Sequence, residues 1–147
     1  MATRSRGVNE PLRRRATCVL LLAATIALGI ASREFRAVLP TSIADHAGDC
    51  LWTIAVYLTL CIVWPRSRPL SLLLFAVGVS FLVEFSQLSN WPPLAAARAN
   101  SVGKLLLGSG FVPLDFLRYS CGGLIAFCID LWLRSGPDAS LRVRNSP

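Results

Sequence analysis

LSLLLFAVGVSFLVEFSQL, residues Leu70 to Leu88, is apolar all round as far as Val83 and then carries Glu84 and Gln87 close to its end. A helix on the surface of a soluble protein shows an apolar stripe and a polar face at the 3.6-residue period. This run has no polar face, so it suits a lipid bilayer or a large core, and a carboxylate within it needs a partner or a task. Pro69 precedes the run, and Asn90, Trp91, Pro92 and Pro93 follow it and break any helix.

Three further apolar runs lie on either side. Ala16 to Ser32 follows Arg13, Arg14 and Arg15 and holds no charge, so at about 1.5 Å per residue it just spans a bilayer. Leu51 to Trp64 is short unless Asp49 and Cys50 form its first turn, and Pro65 stops it. Phe116 to Leu133 has Pro113 just ahead, Gly122 and Gly123 inside and Arg134 at its end. The 147 residues are 54% hydrophobic and 16% charged, against roughly 25% charged in ordinary soluble domains. The pattern predicts an all-α fold, a membrane-embedded bundle of four transmembrane helices over about 16–32, 49–64, 70–88 and 116–133. That domain, 16–134, is flanked by a basic cytoplasmic tail (1–15) and a polar, disordered cytoplasmic tail (135–147). A cleaved signal peptide would also place basic residues, an apolar stretch and small residues (Gly29, Ala31) in this order. The apolar run exceeds the ~7–15 residues of a signal core, which favours a retained span.

Lys and Arg are enriched on the cytoplasmic side of membrane proteins. With the N-terminus inside, ten fall on inner segments, among them Arg13, Arg14, Arg15, Arg66, Arg68 and Arg134. Five fall outside: Arg33, Arg36, Arg98, Lys104 and Arg118. The whole formal charge of +7 is then cytoplasmic, because acids balance bases on the outer side. A pI of 9.9 can signal nucleic acid, but these arginines flank apolar spans and no nucleic-acid motif accompanies them. Membrane lipids with anionic headgroups are the expected partners, and nucleic acid is not.

This topology brings distant polar residues to one depth. Asp49 opens the second span, Glu84 and Gln87 close the third, and Asp115 and Arg118 open the fourth. Ser80, Glu84 and Gln87 share one helical stripe, as do Asp115, Arg118, Tyr119 and Gly122. The candidate polar cluster is therefore Asp49, Glu84, Gln87, Arg98, Asp115, Arg118 and Tyr119, with the acids paired to Arg98 or Arg118 to offset the cost of isolated charge. Asp49 and Asp115 could equally serve as helix caps. Glu84, roughly 6 Å below the helix end at Leu88, is better suited to internal pairing or ligand contact. Between the third and fourth spans, Leu94 to Leu107 can form one short interfacial helix carrying Arg98 and Lys104, with Trp91 as anchor. A disordered surface loop is the alternative, given its Ala, Pro and Gly content. Gly108 and Gly110 allow a tight return.

Other features carry less. Gly103 and Lys104 lack the remaining residues of a phosphate loop. Asp130 and Arg134 form an i,i+4 pair that stabilises the last turn. The five cysteines, Cys18, Cys50, Cys61, Cys121 and Cys128, lack metal-binding spacing and read as buried apolar thiols, with Cys50 and Cys121 near enough in depth for a disulfide. His46 is the sole histidine. No metal and no cofactor are implied.

The strings Gly48-Asp49-Cys50-Leu51-Trp52, Glu84-Phe85-Ser86-Gln87-Leu88, Arg98, Leu106-Leu107-Gly108-Ser109-Gly110-Phe111 and Asp115 with Tyr119 and Gly122 resemble the domain of unknown function 2809 family of small bacterial membrane proteins. The resemblance covers roughly Arg36 to Leu131. More distantly the chain is similar to VanZ-like membrane proteins, in which a Glu-x-x-Gln pair, an Arg and an Asp-x-x-x-Asn-x-x-Gly segment recur on outer helix ends. Glu84, Gln87, Arg98, Asp115 and Gly122 match in place, as does the Asp49 to Tyr57 spacing. Cys50 stands where that family often has Lys, Thr53 where it often has His, and Tyr119 where it has Asn. The VanZ-like family is associated with glycopeptide (teicoplanin) resistance, so the resemblance implies an envelope-related role in the bacterial inner membrane.

These residues suggest a module that holds the headgroup of a lipid or amphiphile at the outer leaflet, Arg98 engaging an anionic group and Gln87 and Tyr119 supplying hydrogen bonds. A membrane enzyme with Glu84 as general base is the weaker reading, since no nucleophile with an activating base is present and no catalytic residue can be named. Proton-coupled transport is third, because four helices would need a homo-oligomer to enclose a path.

Overall fold

The computed structural model describes residues 6–135 apart from 36, 39, 90, 108 and 109. The disordered tail expected after Ser135 lies outside the described residues, as does the glycine turn at Gly108. Among the described residues the chain is all-α, with α1 (Arg6–Glu34), α2 (Thr41–Val63), α3 (Pro69–Ser86), α4 (Pro92–Arg98), α5 (Ser101–Leu107) and α6 (Asp115–Arg134). Three helical stretches are long and apolar enough to cross a membrane: Arg13–Glu34, Pro69–Ser86 and Asp115–Arg134. The apolar part of α2, Ala47–Val63, is shorter.

Prolines set several of these bounds. Pro69 occupies the first turn of α3, where its missing N–H costs nothing, and Pro40 stands immediately before α2. That second proline moves the start of α2 well ahead of Asp49, which is therefore an interior residue of the helix and not its cap. On the N-terminal side α1 begins at Arg6, so most of the stretch expected as a tail is helical and continuous with the apolar run. The single interfacial helix expected over Leu94 to Leu107 is two helices. Asn100 separates them, its Oδ1 accepting the Gly103 N–H at 2.7 Å and so capping α5.

Helix α2 is central, packing against α1, α3 and α6, and α6 also packs against α3. Two glycines allow the closest approaches. A Cβ on Gly122 would overlap the Cys50 carbonyl of α2, and one on Gly123 would meet Val77 and Leu73 of α3 at 2.8 and 2.9 Å. Small residues of this kind let helices pack where lipid supplies no hydrophobic drive between them. The core so formed is Cys18, Tyr57, Leu58, Leu60, Cys61, Leu72, Ala76 and Ala126. Large apolar side chains instead cover the outside, including Leu20 and Ile30 on α1, Leu74 and Leu82 on α3, and Leu124 and Trp132 on α6. An apolar exterior over buried Thr53, Ser80, Glu84 and Asp130 is compatible with a membrane protein, and it far exceeds the patches a soluble monomer exposes.

At the end of the bundle where α1 begins, Asp130 is only 2% exposed. Its Oδ1 accepts from Arg14 Nε (2.9 Å) and Nη2 (2.7 Å), and its Oδ2 accepts from the Tyr57 hydroxyl (3.0 Å) and Arg134 Nε (3.0 Å). Arg14 also donates to the Pro65 carbonyl, and Arg134 to the Ser67 carbonyl at 2.9 Å. The expected Asp130–Arg134 pair is thus part of a larger knot that ties α1, α2, α6 and the α2–α3 turn together. Four donors on one buried carboxylate meet its desolvation cost in the way that a single surface pair could not.

Candidate functional site

The other end of the bundle collects most of the candidate polar cluster. Glu84 has no exposed surface. Its Oε1 accepts the Val112 N–H at 2.7 Å, and its Oε2 accepts from Gln87 Nε2 and the Tyr119 hydroxyl, both at 2.9 Å. Gln87 in turn accepts the Gly110 N–H at 2.7 Å through Oε1. One carboxyl and one amide therefore fasten the chain entering α6 onto the last turn of α3. Since α3 ends at Ser86, with Gln87 as its C-cap, Glu84 lies closer to the helix terminus than its distance from Leu88 suggests.

Beside this latch lies an ion cluster. Arg118 Nη1 donates to Asp49 Oδ2 at 3.2 Å and also to Asp115 Oδ1. The two aspartates expected to find an arginine do so, whereas Glu84 is held by neutral donors instead of by Arg98 or Arg118. Asp115 lies in the first turn of α6, whose terminus has no side-chain cap, so its carboxylate serves the ion pair and not the capping role considered for it. Arg98 stands apart. It closes α4 and reaches back to the end of α3, donating to Ser86 Oγ at 3.0 Å and to the Ser89 carbonyl at 3.4 Å. The short α4, which opens on Pro92 and Pro93, carries it to that side of α3.

One turn below, Thr53 and Ser80 share a buried hydrogen bond of 3.0 Å, and Ser80 also donates to the Ala76 carbonyl. Cys50 donates through Sγ to the Arg118 carbonyl at 3.2 Å, across the contact that Gly122 makes possible. All five cysteines are free. Cys18 and Cys61 are buried, but Cys121 and Cys128 are exposed, because Gly122, Gly123, Ala126 and Asp130 take the inward face of α6. Among the described residues no group of three His, Cys, Asp or Glu side chains is placed to hold a metal ion.

A groove of about 650 Å³ opens between α1, α2 and α3. Helix α2 forms its floor from Gly48 to Leu60, and α1 and α3 form its walls. Each wall is a helical stripe: Leu22, Ile26, Gly29 and Arg33 on α1, and Phe75, Val79, Val83 and Gln87 on α3. The lining is mostly apolar: Arg33, Asp49, Gln87 and Tyr119 stand near one end, and the hydroxyls of Thr25 and Thr59 further along donate to the Leu21 and Ala55 carbonyls of their own helices. Asp49 and Gln87 thus face both the polar cluster and the groove. Arg33 and Trp52, which also line it, were not singled out by residue spacing. Runs that are apolar all round do not say which stripe turns inward, and so neither residue could be recognised from the sequence.

No solved structure matches the chain. Residues 38–123, more than half of it, match the family described as Protein of unknown function (DUF2809), a span that contains every residue of the candidate polar cluster but neither Arg33 nor Asp130. The chain belongs to the DUF2809 family.

Proposed function

We propose that this is a multi-pass membrane protein that holds the chain of a lipid or similar amphiphile in the α1–α2–α3 groove, with the headgroup at the outer polar rim. The observation that carries this reading is the groove itself, mostly apolar along its length and charged at one end. Its volume lies within the ~300–1,000 Å³ typical of small-molecule sites. In this reading α1, α2, α3 and α6 all cross, both termini are cytoplasmic, and the Arg14–Asp130 knot lies at the inner face beneath the arginine-rich ends. The apolar 17 residues of Ala47–Val63 rise about 25 Å, a little less than the ~30 Å hydrocarbon core, and the helical turns before Ala47 supply the remainder. Within this reading the Glu84–Gln87 pair and Asp115 give the rim its similarity to VanZ-like proteins and support an envelope-related role in a bacterial inner membrane. Catalysis by Glu84 is less well supported, because both its oxygens are taken by hydrogen bonds and none of its surface is exposed.

Filling the groove tests the reading directly. Gly29 lines the groove, and a Cβ added there would meet nothing within 4 Å. Gly29→Phe should therefore leave the fold intact and occupy the space of the guest. Lipid co-purifying with the detergent-extracted full chain, quantified by mass spectrometry, should fall severalfold against wild type at equal thermal stability. Unchanged retention would overturn the assignment.

A further inference from the structure

The mouth of the groove also limits the kind of headgroup it suits, an argument that rests on the groove reading above. Arg33 lies in the last turn of α1, on one wall, and Asp49 lies on the α2 floor. Among the carboxylates of the polar cluster Asp49 is the accessible one, its side chain 29% exposed against 10% for Asp115. It shares Arg118 with Asp115, so two carboxylates meet one guanidinium and the excess negative charge faces the groove at Asp49. A purely anionic head would meet attraction at Arg33 and repulsion at Asp49. A head carrying both signs would satisfy both.

Below the mouth the floor runs from Asp49 to Leu60, roughly 16 Å at ~1.5 Å per residue, which is about half of a ~30 Å hydrocarbon core and so the depth of one leaflet.

We infer that the guest is a zwitterionic phospholipid with a primary ammonium, of the phosphoethanolamine class, its phosphate at Arg33 and its ammonium at Asp49. A quaternary ammonium has no N–H to donate to Asp49, so a choline headgroup fits less well.

The test is native mass spectrometry of the full chain exchanged in detergent against phosphatidylethanolamine, phosphatidylglycerol and phosphatidylcholine with matched acyl chains. Wild type should retain the ethanolamine lipid roughly tenfold over both others, the worth of one hydrogen bond to a charged group. Arg33→Gln should lower retention of all three phosphate lipids. Asp49→Asn should remove the preference for ethanolamine over choline. Because Asp49 also binds Arg118, a wild-type series on mono-, di- and trimethylated phosphoethanolamine lipids provides a measurement free of folding effects, and retention should fall with each N–H lost. Equal retention of glycerol and ethanolamine lipids, or of choline and ethanolamine lipids, would overturn the headgroup assignment and leave the groove reading standing. If wild type retains no lipid of any class, the groove reading fails and this assignment fails with it.

Discussion

Glu84 accepts from three donors that belong to α3, α6 and the chain between Gly110 and Val112, so one residue joins three segments. An amide cannot replace it. In Glu84→Gln one oxygen becomes an NH2 group, and whichever it is, either the Val112 N–H or the Gln87 side-chain N–H loses its acceptor. Leaving a buried donor unpaired costs about 1–3 kcal/mol, so the variant should unfold at a lower temperature than wild type in detergent. Wild-type stability would show that these bonds do not hold the outer end together. The pairing of Glu84 with Gln87 and its place on a stripe with Ser80 were legible from spacing alone. Its Tyr119 partner lies 35 residues away, and the Arg14–Asp130 pair spans 116, separations at which no local pattern acts.

At the scale of elements the helix ends divide in the same way. Pro65 and Pro69 act on their immediate neighbours, so the end of α2 and the start of α3 could be read directly, whereas Pro92 and Pro93, expected to break a helix, open α4. The break at Asn100 depends on a side chain accepting a backbone N–H three residues on, in competition with a continuous helix that the same apolar residues would allow. Contacts between helices are decided by shape. The α2–α6 approach depends on Gly122, where a Cβ would stand 2.9 Å from Cys50 Cα. Gly122→Ala should push the helices apart at a cost of about 1–3 kcal/mol, the usual range for overpacking, and loosen the Arg118 cluster. Gly29→Ala, placed in open space in the interior of α1, is the matched control and should be at least as stable as wild type. Thermal unfolding of the two variants side by side makes the comparison, and equal loss in both would contradict a steric role specific to Gly122.

For the whole molecule the proposed orientation follows from a sum over the chain, the excess of arginine on one side, and it can be tested without a structure. In a cysteine-free background, single cysteines at Ser42, Ser67 and Ser101 should divide cleanly: in intact cells an impermeant thiol reagent should label the first and third and spare the second. Labelling at Ser67 would invert or break the proposed topology. By itself the sequence determined the all-α class, the apolar runs and the helix ends near which the polar residues lie, because hydropathy and proline act locally and helical rise is constant. Only the tertiary structure decided how those helices are turned. In lipid a helix that is apolar all round gains nothing from one rotation over another. Its orientation is settled by steric fits such as Gly122 on Cys50 and by long-range knots such as Asp130 with Arg14, and that rotation is what turned Arg33 and Trp52 into a groove.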